Sequence, residues 1–515
     1  MFGVLRLLVF VIATVCMSAA AGAEAILRVK VNAEFTSLDP VANLDFNARS
    51  VVNVLLEGLV AYREDASVGL MLADDFEISP DGRRYLFTLR DGVTFHNGAP
   101  LDADAVVFSW RRYLEPSNRW RCLPQFNGEA GAKIIAVEAP NPRSVLFELD
   151  RPFPAFLERM ARLDCASAGI FHRSSLDAEG KWLRPIGTGP FKLGEIRRGE
   201  HLDLDKFAEY KSRPGPRDGM TGGKAPLVDK VRLTRVSIEN TATALFGGLI
   251  DVDPDLSTAM VDVFLNHQDF TLTTQPSFEL IGLLFQTMDP LLSDPRIRRA
   301  VLLALDREGL SRVISQGRVG ATHSPIPSGS VHSSALERAP LPYDPAQARL
   351  LLAEAGYAGQ TLKLSASRRY MTVFLAGIAI QDMLRQVGFA VELEELEWEW
   401  LFARYGKGEY QMMMFPYSAR LDPALSYEML VGSKSSQPHK VWDDALAIEL
   451  VQRMMDSGDP VVRRSLLDQL HRRFVADLPM IPLWNPPNLT LRHKRVKGFE
   501  PWVGMTPRYW GVWLE

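Results

Sequence analysis

Apolar and polar residues alternate along Ile26-Leu27-Arg28-Val29-Lys30-Val31, a period of two that predicts a strand. After a polar turn from Asn32 to Pro40 the period lengthens. Val51, Val54, Leu55 and Leu59 recur at helical spacing and predict a helix within Asn47–Tyr62. Phe76-Glu77-Ile78 and Arg84 to Arg90 read as two strands, and Ser79-Pro80-Asp81-Gly82 between them has the chemistry of a hairpin loop. A helix is expected to start at Asp102, its N-cap, and to run through Trp110; strands follow at Lys133–Glu138 and Ser144–Leu149. Lys211 to Pro226 is a loop rich in glycine and proline.

The pattern changes beyond residue 275. Ser293-Asp294-Pro295 opens a helix with proline in its first turn, and Ile297, Val301, Ala304 and Leu305 mark its buried face. Tyr343-Asp344-Pro345 opens another over Ala346–Ala355, closed by Gly356. A strand at Leu362–Leu364, a helix at Phe374–Val387 ended by Gly388, and an alternating strand at Val391–Leu396 come next. Met412-Met413-Met414 reads as a buried strand. Such a strand–helix–strand succession indicates an α/β fold with a largely covered sheet. The middle loop and the shift in pattern suggest two lobes.

Composition narrows the function. The 515 residues carry a net charge of −4, with 47% hydrophobic and 23% charged residues, an ordinary globular balance that excludes disorder, collagen and coiled coil. Without basic excess, nucleic acid is not an expected partner. Residues 1–23 place Arg6 before a short apolar core from Leu7 to Val15, then the small residues Ala21-Gly22-Ala23. This is the layout of a secretory signal peptide cleaved after about Ala23; the apolar run is short of the ~20 residues that span a bilayer. Val15 stands where acylation of Cys16 would require a small residue, which argues against a lipoprotein. Cleavage leaves Cys122 and Cys165 in an exported chain. One disulfide is the favoured reading in an oxidising compartment, and two buried thiols are the alternative.

No catalytic kit is legible. There is no G-x-S-x-G elbow and no H-E-x-x-H, and no two histidines stand four apart. Gly219 to Lys224 has the wrong glycine spacing for a phosphate loop, and Ala225 follows the lysine. Gly187-Thr188-Gly189-Pro190-Phe191 lacks the second half of a dinucleotide fingerprint. Glu394 and Glu395 point to opposite faces of a strand. Neither a metal nor a cofactor is expected.

The long ordered block from Leu72-Ala73-Asp74-Asp75-Phe76 through Ser79-Pro80-Asp81-Gly82 to Thr94-Phe95-His96-Asn97-Gly98 resembles the signature of the periplasmic solute-binding proteins of the oligopeptide, dipeptide and nickel group, the binding subunits of ABC importers. Leu38-Asp39-Pro40, Phe108-Ser109-Trp110, Gly187 to Phe191, Asp294 to Ala300, Ala304-Leu305-Asp306-Arg307, Tyr343-Asp344-Pro345 and Ala353 to Tyr357 follow in that family's order. The resemblance implies two hinged α/β lobes closing over a solute. The first would hold 24–275, with a subdomain at about 61–184, and regain the chain at 490–515; the second would be 276–489. It further implies a monomeric receptor in the periplasm that hands a peptide or peptide-like solute to permease subunits. Alternatives are an opine, a sugar conjugate or a metal chelate as cargo, and remotely an exported hydrolase.

The resemblance also suggests a site. Peptide-binding relatives place an aspartate for the ligand ammonium in the segment that reads here Phe415-Pro416-Tyr417-Ser418-Ala419-Arg420-Leu421-Asp422-Pro423. The equivalent position falls on Ser418 or Ala419, neither acidic, and Arg420 follows. An ammonium buried against an arginine is unfavourable, so either the solute offers Arg420 a carboxylate or phosphate, or Arg420 points to solvent. Arg368 matches a region where an arginine can meet the ligand carboxylate, or else it is a surface residue. Phe35 and Thr36 match a loop that approaches the ligand. Trp398 either stacks on the ligand or fills the lobe core, and Tyr417 completes the expected site.

Overall fold

The computed structural model describes residues 24–32, 34, 35, 37–42, 45–129 and 131–515. The export signal over 1–23 and Thr36 lie outside the described residues.

The alternating segment Ile26–Val31 is a central strand of a seven-stranded sheet. It runs parallel to Lys230–Arg235 on one side and to Val252–Asp253 on the other, burying Leu27 and Val29. The strands Phe270–Pro276 and Pro487–His493 pair antiparallel at one edge, so the chain returns to this sheet after a long excursion.

The helix that begins this lobe is Phe46–Leu55, shorter than its periodicity predicts. Asp45 caps it by accepting from Ala48 N at 2.9 Å. It stops because the chain must turn at Gly58, where a Cβ would stand 2.3 Å from Ser167 O; Val60–Tyr62 then forms a short strand. The Gly-Thr-Gly run packs against the same helix end. A Cβ at Gly187 would lie 2.1 Å from Leu55 O, and one at Gly189 the same distance from Val54 O. Close backbone approach, not phosphate binding, therefore accounts for those glycines.

Ala73–Ile78 and Arg84–Leu89 form the expected hairpin, with Gly82 at φ +68° in its turn. With Ser144–Leu149 and Ile134–Asn141 they make a four-stranded antiparallel sheet. The helix Ala103–Leu114, capped by Asp102, packs on it. Trp110 is fully buried there, edge-on to Trp120, Phe126 and Phe147.

A second lobe is built on five strands in the order Val391–Glu395, Leu362–Ala366, Met412–Tyr417, Leu280–Phe285, Met480–Trp484. Helices Pro295–Ala304, Pro345–Glu354 and Met371–Gln386 contribute to its core, the first two capped by Asp294 and Asp344 with proline in the first turn. Met412 and Met414 enter this lobe's own core, while Met413, Phe415 and Tyr417 face the larger core shared with the first lobe. That alternation is the strand period made visible. Two short segments join the sheets, Ser277 to Glu279 and Asn485 to Pro486. They are tied together, since Asn485 Nδ2 donates to Glu279 O at 2.7 Å and Ser277 N to Pro486 O at 3.2 Å. No helix among the described residues is long and apolar enough to cross a membrane.

Candidate functional site

Charged side chains gather where the lobes face each other. From the first lobe, the helix Phe46–Leu55 buries Val51, Val52, Val54 and Leu55 and leaves Arg49 on another face, half-buried. Arg49 makes no ion pair or side-chain hydrogen bond with any described residue, and its guanidinium lies 6.0 Å from the Phe46 ring centre.

The subdomain contributes a second group. Cys122 and Cys165 are bonded, with Cα atoms 5.8 Å apart, as the export reading favoured. The bond holds two loops together and so brings Arg121 beside Asp164. The Asp164 carboxylate accepts from Arg162 Nε at 3.0 Å and Nη2 at 2.7 Å, and Arg121 stands 3.8 Å away. Burial alone would raise the Asp164 carboxyl, but Arg162, Arg420 and Arg121 outweigh it and hold it well below the usual range.

From the second lobe comes the segment after Met412–Tyr417. Arg420 Nη1 donates to Ser418 Oγ at 2.8 Å, to Ala419 O at 3.1 Å and to Ser418 O at 3.2 Å; its Nε is buried without a partner. No carboxylate among the described residues forms an ion pair with it. Asp422 is engaged elsewhere, capping Pro423–Glu428 and pairing with Arg463. Glu428 joins the basic group, and although burial opposes it, Lys440, Arg159, Arg162 and Arg420 bring its carboxyl down to about 2.

The crossing segment adds the opposite charge. Burial, and then Asp255, push the Glu279 carboxyl up to about 7 against the pull of Arg49. Burial, and then Asp422, raise Glu158 to about 7 as well. Both values exceed the ordinary 4.5, so the folded chain holds more protons than the unfolded one between those limits. Stability contributed by these groups is full below about pH 4.5 and declines as the pH rises towards 7. Chemical denaturation of Glu158→Gln at a series of pH values should show a shallower decline over that window; a slope equal to the wild type would contradict the assignment.

The residues singled out from sequence are distributed as follows. Tyr417 is buried, its ring 4.9 Å from Phe415, which stacks at 4.1 Å on Tyr405. Trp398 is half-buried, 5.9 Å from Phe415 and edge-on to Tyr370 at 5.1 Å, so it packs against the core while keeping a free surface. Phe35 is half-buried against the first lobe's core. Arg368 is exposed, bound to Glu395 at 2.6 Å and lying 4.7 Å over Phe374. The structure thus gathers Tyr417, Trp398 and Arg420 on one lobe and commits Arg368 to a surface pair. Arg49, Arg121, Arg162, Asp164 and Glu279 carry no local motif. The one usable signal was the adjacency of Arg121 and Asp164 to the two cysteines.

Two groupings of described residues have metal-ligand spacing. In one the cysteine sulfurs are already bonded to each other. In the other, Asp203 is taken by Arg232 and Lys230, beside Glu195 and His201.

Two lobes joined by paired crossings, with charge concentrated between them, describe a container. The family model for bacterial extracellular solute-binding proteins, family 5 (middle), matches residues 67–438. The chain belongs to that family. It is 29% identical over 373 residues to the glutathione-binding protein GsiB of Pectobacterium atrosepticum, covering 72% of this chain and 69% of the relative. Its identity to GsiB of Escherichia coli O1:K1 is 27% over 513 residues, 96% of this chain and 94% of the relative. The fold is that of the Helicobacter pylori periplasmic binding protein DppA in complex with the peptide STSA, with a TM-score of 0.81, 23% identity, and coverage of 96% and 99%. It is equally that of AgaA from A. tumefaciens R10 in complex with agropinic acid, with a TM-score of 0.79, 23% identity, and coverage of 95% and 99%. In a family of binding proteins, capture of a solute, not its turnover, is the work of the cleft.

Proposed function

We propose that this protein is exported by residues 1–23, acts as a monomer in the periplasm, and delivers a peptide-like, anionic solute to the permease of an ABC importer. The lobes would correspond to 24–275 with 490–515 and to 276–489, hinged at Ser277–Glu279 and Asn485–Pro486. The observation that carries the reading is Arg420. Its Nε is buried without a partner and it forms no ion pair with a carboxylate among the described residues, in the segment where peptide-binding relatives carry an acid. A buried guanidinium lacking a counter-ion is completed by an anionic ligand. Glutathione and agropinic acid, the ligands named for GsiB and AgaA, both bear carboxylates. Tyr417 and Trp398 would line the site beside Arg420, with Phe35 opposite. Arg368 would join them only by exchanging Glu395 for the solute.

Calorimetry on ligand-stripped protein tests this directly. Glutathione, short peptides and opine acids are titrated beside their amides. A binder from the panel should lose affinity when its carboxylate is amidated, and Arg420→Ala should bind the acid roughly 10- to 100-fold more weakly. Equal binding of acid and amide would refute the anionic reading. Selective binding of an opine acid over every peptide would make the cargo an opine.

A further inference from the structure

We infer that residues 238–269 of the first lobe build a docking face for a protein partner, and that the segment it receives is basic and bears large apolar side chains. The inference goes beyond the solute reading. This face uses none of the residues assigned to the solute and does not depend on the cargo.

Sequence sets its charge. From Ile238 to Asp269 the chain has six acidic residues and neither Lys nor Arg, although 58 such cations occur in 515 residues. Asp251 and Asp253 are engaged in ion pairs with Arg28, Arg495 and Lys30, and Asp255 borders a small cavity beside Lys30. Glu239, Asp262 and Asp269 stand exposed. Lys494 on the adjoining turn is exposed too, and its backbone N–H donates to Asp269 O at 2.8 Å.

Packing sets its apolar surface. The short helices Thr241–Phe246 and Val261–Phe264 bury Ala244, Leu245, Val261 and Phe264 in a small core with Phe270, Leu489 and Leu491. Ile238, Phe246, Leu249, Val263 and Leu265 remain outside it, between 48% and 55% exposed. Five of the twenty-seven exposed large hydrophobic side chains among the described residues thus fall within twenty-eight positions. Aromatic contacts tie the two helices together. Phe246 stacks on Phe264 at 5.2 Å, and the His267 and Phe270 rings lie 5.2 and 5.8 Å from it. Single exposed apolar side chains are ordinary, whereas a group of them rimmed by charge marks an interaction site.

The charge selects the occupant. A second copy related by two-fold symmetry would set the same acids against each other, and like charges repel. Bilayers are bound by basic amphipathic surfaces drawn to anionic lipid, the reverse of this face. A protein segment with Lys or Arg flanking apolar anchors meets both features. The anchors cover the exposed side chains, and the cations face Glu239, Asp262 and Asp269.

The test uses the mature protein and three labelled synthetic peptides, read by fluorescence anisotropy at low and physiological salt. The first is an amphipathic Lys/Leu peptide, the second has Glu for each Lys, and the third has Ser for each Leu. The Lys/Leu peptide should bind at least about tenfold better than either counterpart, and more weakly as salt rises. Leu249→Ser/Leu265→Ser and Glu239→Lys/Asp262→Lys should each weaken it by at least about tenfold, and the charge reversal should admit the Glu/Leu peptide. Val313→Ser, 76% exposed on the second lobe, should change nothing. If the serine pair lowers the melting temperature, the charge reversal, confined to exposed carboxylates, decides. Variants of this face that bind the Lys/Leu peptide like wild type overturn the proposal. Equal binding of the Lys/Ser peptide overturns it as well, because the face would then act by diffuse charge alone. A dimer in sedimentation that Leu265→Ser dissolves would give the face to a second copy. Flotation with anionic vesicles that Leu265→Ser abolishes would give it to a membrane. Either result overturns the proposal.

Discussion

Replacing Glu57 with Ala is expected to destabilise the protein by about 3–5 kcal/mol, the range for breaking one side of a buried ion pair. Glu57 Oε1 accepts from Lys224 Nζ at 3.1 Å and from the Tyr210 hydroxyl at 2.9 Å, while Oε2 accepts from Thr188 Oγ1 at 3.0 Å. Both charged side chains are almost wholly buried, at 2% exposure for Lys224 and 1% for Glu57. Lys224 also lies 4.8 Å from the centre of the Trp510 ring. One carboxylate thus joins the Gly-Thr-Gly segment, the loop from Lys211 to Pro226 and, through Lys224, the C-terminal return.

Burial already lowers the Lys224 proton affinity, and Glu57 offsets this. Without the carboxylate the folded-state value falls further below the ordinary 10.5, so the unfolded chain binds the extra proton. The deficit of Glu57→Ala should therefore shrink as the pH rises past 10.5, above which the lysine becomes neutral in both states. Urea denaturation at two alkaline pH values measures it. Glu57→Ala/Lys224→Met should recover most of the loss. A single variant within about 1 kcal/mol of wild type would show that this buried network does not hold the segments together.

The second large effect is expected on removing the disulfide. Cys122 and Cys165 are separated by 43 positions, and closing a loop of that length restricts the unfolded chain by about 4 kcal/mol in the chain-entropy account. Cys122→Ser/Cys165→Ser should lose about that much stability, seen as a lower denaturant midpoint. It should also weaken solute binding, because the bond holds Arg121 beside Asp164 at the edge of the cleft. Loss of stability with unchanged affinity would confine the disulfide to a structural role. Stability equal to wild type would mean that the subdomain core around Trp110 keeps the two loops together unaided.

Local signals in the chain hold where their physical cause is local. Asp102, Asp294 and Asp344 cap the helices they were expected to open, since a cap is a contact over two or three residues. The hairpin at Gly82 and the buried strand at Met412–Met414 follow from backbone conformation and side-chain period alone. The helix expected to reach Tyr62 ends instead at Leu55, because Gly58 must pass a backbone more than a hundred residues away in sequence. No periodicity could report that clash.

The amino-acid order alone thus indicated the α/β class and the two-part division, because hydrophobic period, capping and turn chemistry act between near neighbours, and it indicated the family through the resemblance of the block from Leu72 to Gly98. The tertiary structure decided which arginines remain without a partner. Arg368 and Arg420 look alike in the chain, yet Glu395 occupies the first and no carboxylate among the described residues pairs with the second. Arg49 carries no motif, and only the fold shows it half-buried without an ion pair among the described residues. Charge acts through space and burial, so the character of a cleft emerges from how distant segments meet.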